Sequence, residues 1–263
     1  MKEVKVLLSI IVPCFNEANR FNPDYWIEII EDSPFVEWIF VDDGSTDNTF
    51  KILSNLSKLP RVSIIKLESN RGKAEAIRRG FISSQALGEI KNPDIVGVGF
   101  IDSDGAFQKY DIINILNLAV AQFTSTHEIS YGAIISSRVK LGGRQIFRSA
   151  SRHYIGRIIA TYLCKNWSTA PYDTQSGFKV FQKTTSLAKS IEKPFRTRWF
   201  FDIELFLRLY SYESNPLNVW EEPLNYWKDV IGSKIKKREY LLIVIEIVRI
   251  RKMIKKALLV NKF

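Results

Sequence analysis

The sequence has only two cysteines, Cys14 and Cys164. They lie far apart and fit no zinc or redox spacing, which excludes a disulfide scaffold and a thiolate metal site. Such usage suits a reducing cytosol. Cys14 follows an apolar run and is expected to be a small buried residue. No low-complexity tract and no internal repeat is present. Long apolar runs are missing too. Leu7–Val12 stops at Pro13, and Tyr240–Ile245 is broken by Glu246. Neither approaches the roughly 18 residues of a membrane span. Leu7–Val12, with Lys2 and Lys5 ahead of it, is also too short for a signal peptide. A soluble or peripheral protein is expected. No Gly-x-Gly-x-x-Gly follows the first apolar run, which argues against a dinucleotide-dependent dehydrogenase.

What is present is a chain of 263 residues, 46% apolar, with a formal charge of +10. The apolar content supports a real core. The charge implies an anionic partner: nucleic acid, acidic lipid or a phosphorylated substrate. No recognised nucleic-acid motif accompanies it, so a basic nucleic-acid-binding protein is the distant alternative.

Apolar runs predict strands over Leu7–Val12, Val36–Val41, Arg61–Leu67, the stretch ending at Ile101, and Tyr131–Arg138. Helices are predicted between them: one carrying Tyr25 to Ile30, then Phe50–Leu56 with Ser45 or Thr46 as cap, then from Asn70 to about Ser84, then Ile112–Phe123. This alternation indicates an α/β domain with a mainly parallel sheet. Beyond it a basic helix is predicted over Arg144–Leu163, a short strand at Phe178–Phe181, a helix with Leu205 to Tyr210, and a last strand at Asn218–Pro223. Ligands of such sheets sit at the carboxyl ends of the strands. Asn16-Glu17, Asp42-Asp43, Asn70 to Lys73, Asp102 with Asp104, and Arg138 all fall there.

Asp102 and Asp104 lie one residue apart at a strand end. Paired carboxylates repel unless a positive charge joins them. Magnesium bound to a diphosphate would do so, since it takes one or two carboxylates plus substrate phosphates. Alone, Asp-x-Asp equally describes an acidic turn.

Together, Ser9 to Glu17, Val41 to Asp47, Asn70 to Lys73 and Asp102-Ser-Asp104 resemble glycosyltransferase family 2, enzymes of the GT-A fold that use nucleotide sugars. Asp173 to Lys179 and Arg198 to Glu204 are most similar to the dolichyl-phosphate glucosyltransferase subgroup. The likeness runs from residue 7 to about 225. It implies one GT-A domain over residues 1–227, followed by a basic tail over residues 228–263.

The resemblance also implies roles. Pro13 and Glu17 would lie along the base and ribose, and Asp42 would accept hydrogen bonds from either. Arg71 and Lys73 would sit near the nucleotide. Asp102 and Asp104 would hold Mg2+ or Mn2+ on the diphosphate. Ala106 stands where mannosyl relatives often supply a further ligand. Arg138 and Arg152 match the arginine pair that clamps an acceptor phosphate. Gln175 would lie near the donor, and Asp202 with Glu204 near the sugar. Asp202 would be the general base if the acceptor were a hydroxyl.

The implied activity is inverting, metal-dependent transfer of a hexose, glucose by these motifs, from UDP-glucose to a polyprenyl or dolichyl phosphate. The alternative is a family 2 enzyme acting on a glycan or lipid-linked saccharide hydroxyl. Either reading places the protein in the cytoplasm, peripheral on the cytoplasmic membrane face. Ile243, Ile247, Ile250, Ile254 and Leu258 recur at helical spacing with basic residues opposite. That pattern describes a helix lying in a membrane interface. Its rival is a helix packed on the domain or on a second subunit, as in a homo-oligomer.

Overall fold

The computed structural model describes residues 5–87, 92–125, 131–148, 150–167, 169–212, 217–228 and 239–260. The chain enters through β1 (Leu8–Cys14), whose apolar run is buried almost throughout. Asn22 then caps α1 (Pro23–Asp32), accepting from the Asp24 and Tyr25 amides, and Pro23 fills a first-turn position that needs no N–H. β2 (Val36–Asp42) is buried at every residue, as in a strand covered on both faces. α2 (Thr49–Leu56), β3 (Val62–Lys66), α3 (Lys73–Ser83), β4 (Gly97–Ile101), α4 (Lys109–Thr124) and β5 (Ala133–Ser137) continue the alternation. Ser45 and Thr46 do not cap α2. Asn48 holds the cap position without a side-chain bond, and Asp47 Oδ1 meets the Thr49 amide at 2.9 Å.

The helix expected from Arg144 begins later. Gln145–Phe147 forms β6, and α5 runs over Ala150–Asn166. β6 exists because it pairs in parallel with β9 (Tyr226–Lys228), eighty residues away, a partner that no local pattern announces. The remaining elements are β7 (Phe178–Gln182), α6 (Thr185–Glu192), α7 (Phe201–Tyr212), β8 (Val219–Pro223) and α8 (Glu239–Val260).

Seven strands form the main sheet in the order β3-β2-β1-β4-β7-β5-β8. β3, β2, β1 and β4 are mutually parallel. β7 is antiparallel to both β4 and β5. That reversal has a consequence. A strand running down the sheet must be entered from the carboxyl edge of its neighbours, so the Asp173–Gly177 loop before β7 joins that edge. Alternate residues face opposite layers. Ile10, Val12, Trp38 and Phe40 pack with Trp26 of α1 and Ile112 and Ile115 of α4. Ile11, Ile39, Val41 and Phe100 pack with Ile77 and Phe81 of α3 and with Phe201 and Leu205 of α7.

α8 joins the second layer. Ile250, Ile254 and Ala257 are buried in the same cluster as α7, and Ile243 packs against it. Ile243, Ile250 and Ile254 of the stripe expected to meet a membrane are therefore on the packed face, whereas Ile247 is exposed. The Leu258 side chain lies outside the described residues. Among the described residues of this helix, Leu242, Ile245, Ile247 and Val248 are exposed apolar side chains. Among the described residues, no helix is long and apolar enough to cross a membrane.

Candidate active site

The order of the sheet reverses between β1 and β4, and a ligand cleft is expected there, beyond the strand ends. Asp42 ends β2. Its Oδ1 accepts the Ser45 amide at 3.1 Å, whereas its buried Oδ2 has no partner among the described residues. A buried acceptor without a donor costs stability unless a ligand supplies one. Asp43 turns the other way. Its two oxygens accept the Arg71 and Gly72 amides, each at 2.7 Å, while burial pushes its carboxyl upward. Arg71 is thus placed by its backbone, and its side chain is exposed. Gly44 is required here: its φ is +68°, and an added β-carbon would stand 2.5 Å from Ser69 C. The first loop is tied to the second, because the Asn16 amide donates to Ser45 Oγ and the Thr46 amide to Asn16 Oδ1. Pro13 is half-buried near the end of β1. Glu17 is buried and paired with Arg20, whose Nη2 donates to Oε1 at 2.5 Å.

Asp102 and Asp104 follow β4. The Asp104 carboxyl is pushed upward by burial and then by the Asp102 charge; Arg20 and Lys73 oppose this. Lys73 opens α3, yet its Nζ lies 2.5 Å from Asp102 Oδ1. Burial works against the Lys73 charge, but Asp102, Asp202 and Asp104 outweigh it and hold its pKa up. Gly177 lies against the same carboxylate; a β-carbon there would fall 2.4 Å from Asp102 Oδ2. Two oxygen-donor carboxylates fit a hard divalent cation. Burial is the larger part of the upward pressure on Asp104; the other part, the Asp102 charge, is a clash that a cation would relieve. Among the described residues no group of three His, Cys, Asp or Glu side chains forms a metal cluster.

Arg138 leaves β5 and grips Asp173. Its Nη2 is 2.6 Å from Oδ1, and its Nε and amide reach Oδ2 at 2.9 and 2.8 Å. Burial penalises the Asp173 charge, but Arg138 and then Arg148 outweigh it and hold the carboxyl below its usual range. The Arg138 guanidinium also lies 5.5 Å from the Trp227 ring centroid. Arg152 falls in the first turn of α5, and its side chain lies outside the described residues. Gln175 Nε2 donates to the Trp199 carbonyl at 3.2 Å. Asp202 Oδ1 stands 2.8 Å from Nζ of the fully buried Lys179. Burial drives the Lys179 pKa down against that partner. Glu204 is also fully buried, with both oxygens taken by the Arg196 and Thr197 amides, Thr197 Oγ1 and Arg208. Glu204 therefore acts on the site through the loop it holds.

The model of glycosyl transferase family 2 matches residues 9–191. The chain belongs to this family. Among its relatives, a dolichyl-phosphate beta-glucosyltransferase of Drosophila melanogaster is 30% identical over 87% of this chain and 69% of its own length. A protein of that name from Trichomonas vaginalis is 28% identical over 94% of this chain and 71% of its own. The glucosyl-3-phosphoglycerate synthase of Mycobacterium tuberculosis, solved with Mn2+, UDP and glucosyl-3-phosphoglycerate, superposes with a TM-score of 0.60 at 15% identity. The superposition covers 97% of this chain and 80% of that one, and it shows the shared GT-A fold.

Around the strand ends of this family 2 glycosyltransferase stand further residues to which the resemblance assigned no role. Arg20 reaches the electrostatic field of both Asp102 and Asp104. Asp173 and Lys179 hold Arg138 and Asp202. Arg198 lies over Gly72, its Nε 3.3 Å from where a β-carbon would stand. Asp173 and Lys179 were visible as motif letters. Arg20 carried no local signal beyond its spacing of three from Glu17.

Proposed function

We propose that this glycosyltransferase moves glucose from UDP-glucose to a polyprenyl or dolichyl phosphate, with inversion and with Mg2+ or Mn2+. The carrying observation is the order in which the sheet lays out three strand ends. Asp42 ends β2, Asp102 and Asp104 follow β4, and Arg138 follows β5, with one strand between each neighbouring pair. At about 4.8 Å per strand these groups stand roughly 10 Å apart, a span suited to nucleoside, diphosphate and acceptor phosphate in turn. Asp42 Oδ2 would take a donor from base or ribose. Asp102 and Asp104 would hold the cation, which when bound offsets charge gathering on the departing diphosphate.

The acceptor phosphate is already an anion and needs no strong base. It needs holding in line, which Arg138, Arg148 and Arg152 at the start of α5 are suited to do. One of its oxygens forms a bond to the anomeric carbon as the bond to UDP breaks. A single displacement inverts that carbon. An apolar cavity of about 190 Å³ lies between α5, α7 and α8, lined by Ile158, Tyr162, Leu163, Phe200, Ile203 and Ile247 with their neighbours. An apolar cavity of roughly 150 Å³ takes a six-carbon ring, so this one is sized for a short branched segment of hydrocarbon. Leu242, Ile245 and Val248 beside Arg249, Arg251 and Lys252 form the exposed side of α8, suited to peripheral contact with an anionic bilayer. The names of the relatives and the manganese and UDP in the structural neighbour support the same reading.

The test is direct. Labelled UDP-glucose, a short polyprenyl phosphate and Mn2+ should give an organic-soluble glucosyl product and free UDP. GDP-mannose in place of UDP-glucose should give none. Binding of UDP-glucose without transfer to any polyprenyl phosphate would remove the acceptor assignment.

A further inference from the structure

The loop from Arg196 to Phe200 has no regular structure, yet four consecutive amides in it are held by two buried carboxylates. Glu204 of α7 accepts from Arg196 and Thr197. Glu246 of α8 accepts from Arg198 at 2.7 Å and from Trp199 at 2.8 Å. One turn on, Arg249 Nη1 donates to the Arg196 carbonyl at 2.9 Å. The same loop touches the donor side at three places. Arg198 lies over Gly72 and opposes the upward push on Asp43. The Trp199 carbonyl accepts from Gln175 Nε2. Phe201, the first residue after the loop, has its ring 5.8 Å from Lys73 Nζ, which is paired with Asp102.

We infer that α8 is part of the donor site and that Glu246 is a positioning residue, setting this loop against the nucleotide-sugar cleft. The inference rests on the donor cleft proposed above. Anchoring the helix does not call for a buried carboxylate, because Ile250, Ile254 and Ala257 already pack it on the domain. Burying a charge is costly unless donors meet it. Here both oxygens are met by backbone of a loop that reaches the cleft. α8 lies outside the residues that the family model matches. A segment beyond the matched region thus completes the site.

Glu246→Gln leaves one acceptor oxygen and turns an NH2 group toward a backbone N–H. A charged hydrogen bond of this kind contributes enough that its loss should raise the KM for UDP-glucose about tenfold, with kcat little changed. Without donor, the Arg198 and Trp199 amides should exchange hydrogen faster than in the wild type. Ile254→Val loosens the same helix and should lower Tm while leaving the donor KM alone. An unchanged donor KM in Glu246→Gln overturns the inference. So does an Ile254→Val that raises KM as much, since general loosening would then explain both. In the wild type, UDP-glucose should slow exchange at these two amides; an unchanged rate with donor bound also overturns it. A wild type that binds no sugar nucleotide fails at the earlier step and removes the donor cleft itself.

Discussion

The two sides of the site are built differently. The donor side, at the ends of β1, β2 and β4, has Glu17–Arg20 and Lys73–Asp102 as its ion pairs but is made largely of short loops whose side chains bond to backbone. Asn16, Ser45, Asp42 and Asp43 all work this way. The acceptor side, around β5, β7 and α7, rests on buried ion pairs: Arg138 with Asp173, and Lys179 with Asp202. Loops held by their own backbone keep their shape when one bond is lost. A buried pair does not, because removing one member strands the other charge. Damage should therefore be graded on the donor side, except at the charges themselves, and abrupt on the acceptor side.

The largest effect tests that exception. Asp104→Ala should lower transfer by about 10²–10³ or more, the scale of losing one electrostatic contact at a reacting group. The fold and metal-free nucleotide binding should survive, while manganese should no longer tighten the donor. Wild-type turnover in the mutant would refute the metal assignment. Next, Arg138→Ala should cost about 2–5 kcal/mol in acceptor recognition, read from the acceptor KM, with the donor dissociation constant preserved. An unchanged acceptor KM would make Arg138 purely structural.

The third test sharpens the contrast through a double-mutant cycle. Arg138→Ala and Asp173→Ala should be non-additive in stability by about 0.5–3 kcal/mol. On the donor side Ser45→Ala, which removes the acceptor for one exposed amide, should cost no more than about 0.5–1.5 kcal/mol. Equal effects would erase the distinction. The smallest signal is in pH. The folded Asp173 pKa is depressed, so its contribution is fully present above the unfolded value of about 3.9 and is lost as pH falls through the lower folded value. The Tm gap between wild type and Asp173→Asn should be widest near neutrality and should close below about pH 4. A gap independent of pH would mean that the ion pair is not its source.

The donor side was the legible side, and for the same physical reason. Its bonds join residues close in sequence or loops that follow adjacent strands, so the motif letters Asp42, Gly44, Asp102 and Asp104 carry their own geometry. Gly177 is a letter whose reason appears only in three dimensions, where it clears space for Asp102 Oδ2. The helix expected from Arg144 shows the limit at the level of elements. Gln145–Phe147 is a strand because of Tyr226–Lys228, and local propensity has no access to that partner.

By itself, the sequence determined the alternation of strands and helices, the strand ends at which polar residues gather, and the burial of Cys14. These follow from hydrophobic period and turn chemistry, which act over a few residues. Tertiary structure alone decided the direction of β7, which brings the Asp173–Gly177 loop to the site. It decided that Lys73 turns to Asp102 and that Glu204 is spent on its own loop. It also decided the side of α8. The helical spacing of Ile243, Ile250 and Ile254 shows that one face is apolar. Only the presence of α7 settles that this face packs inward, because burial against protein and burial against lipid satisfy the same pattern.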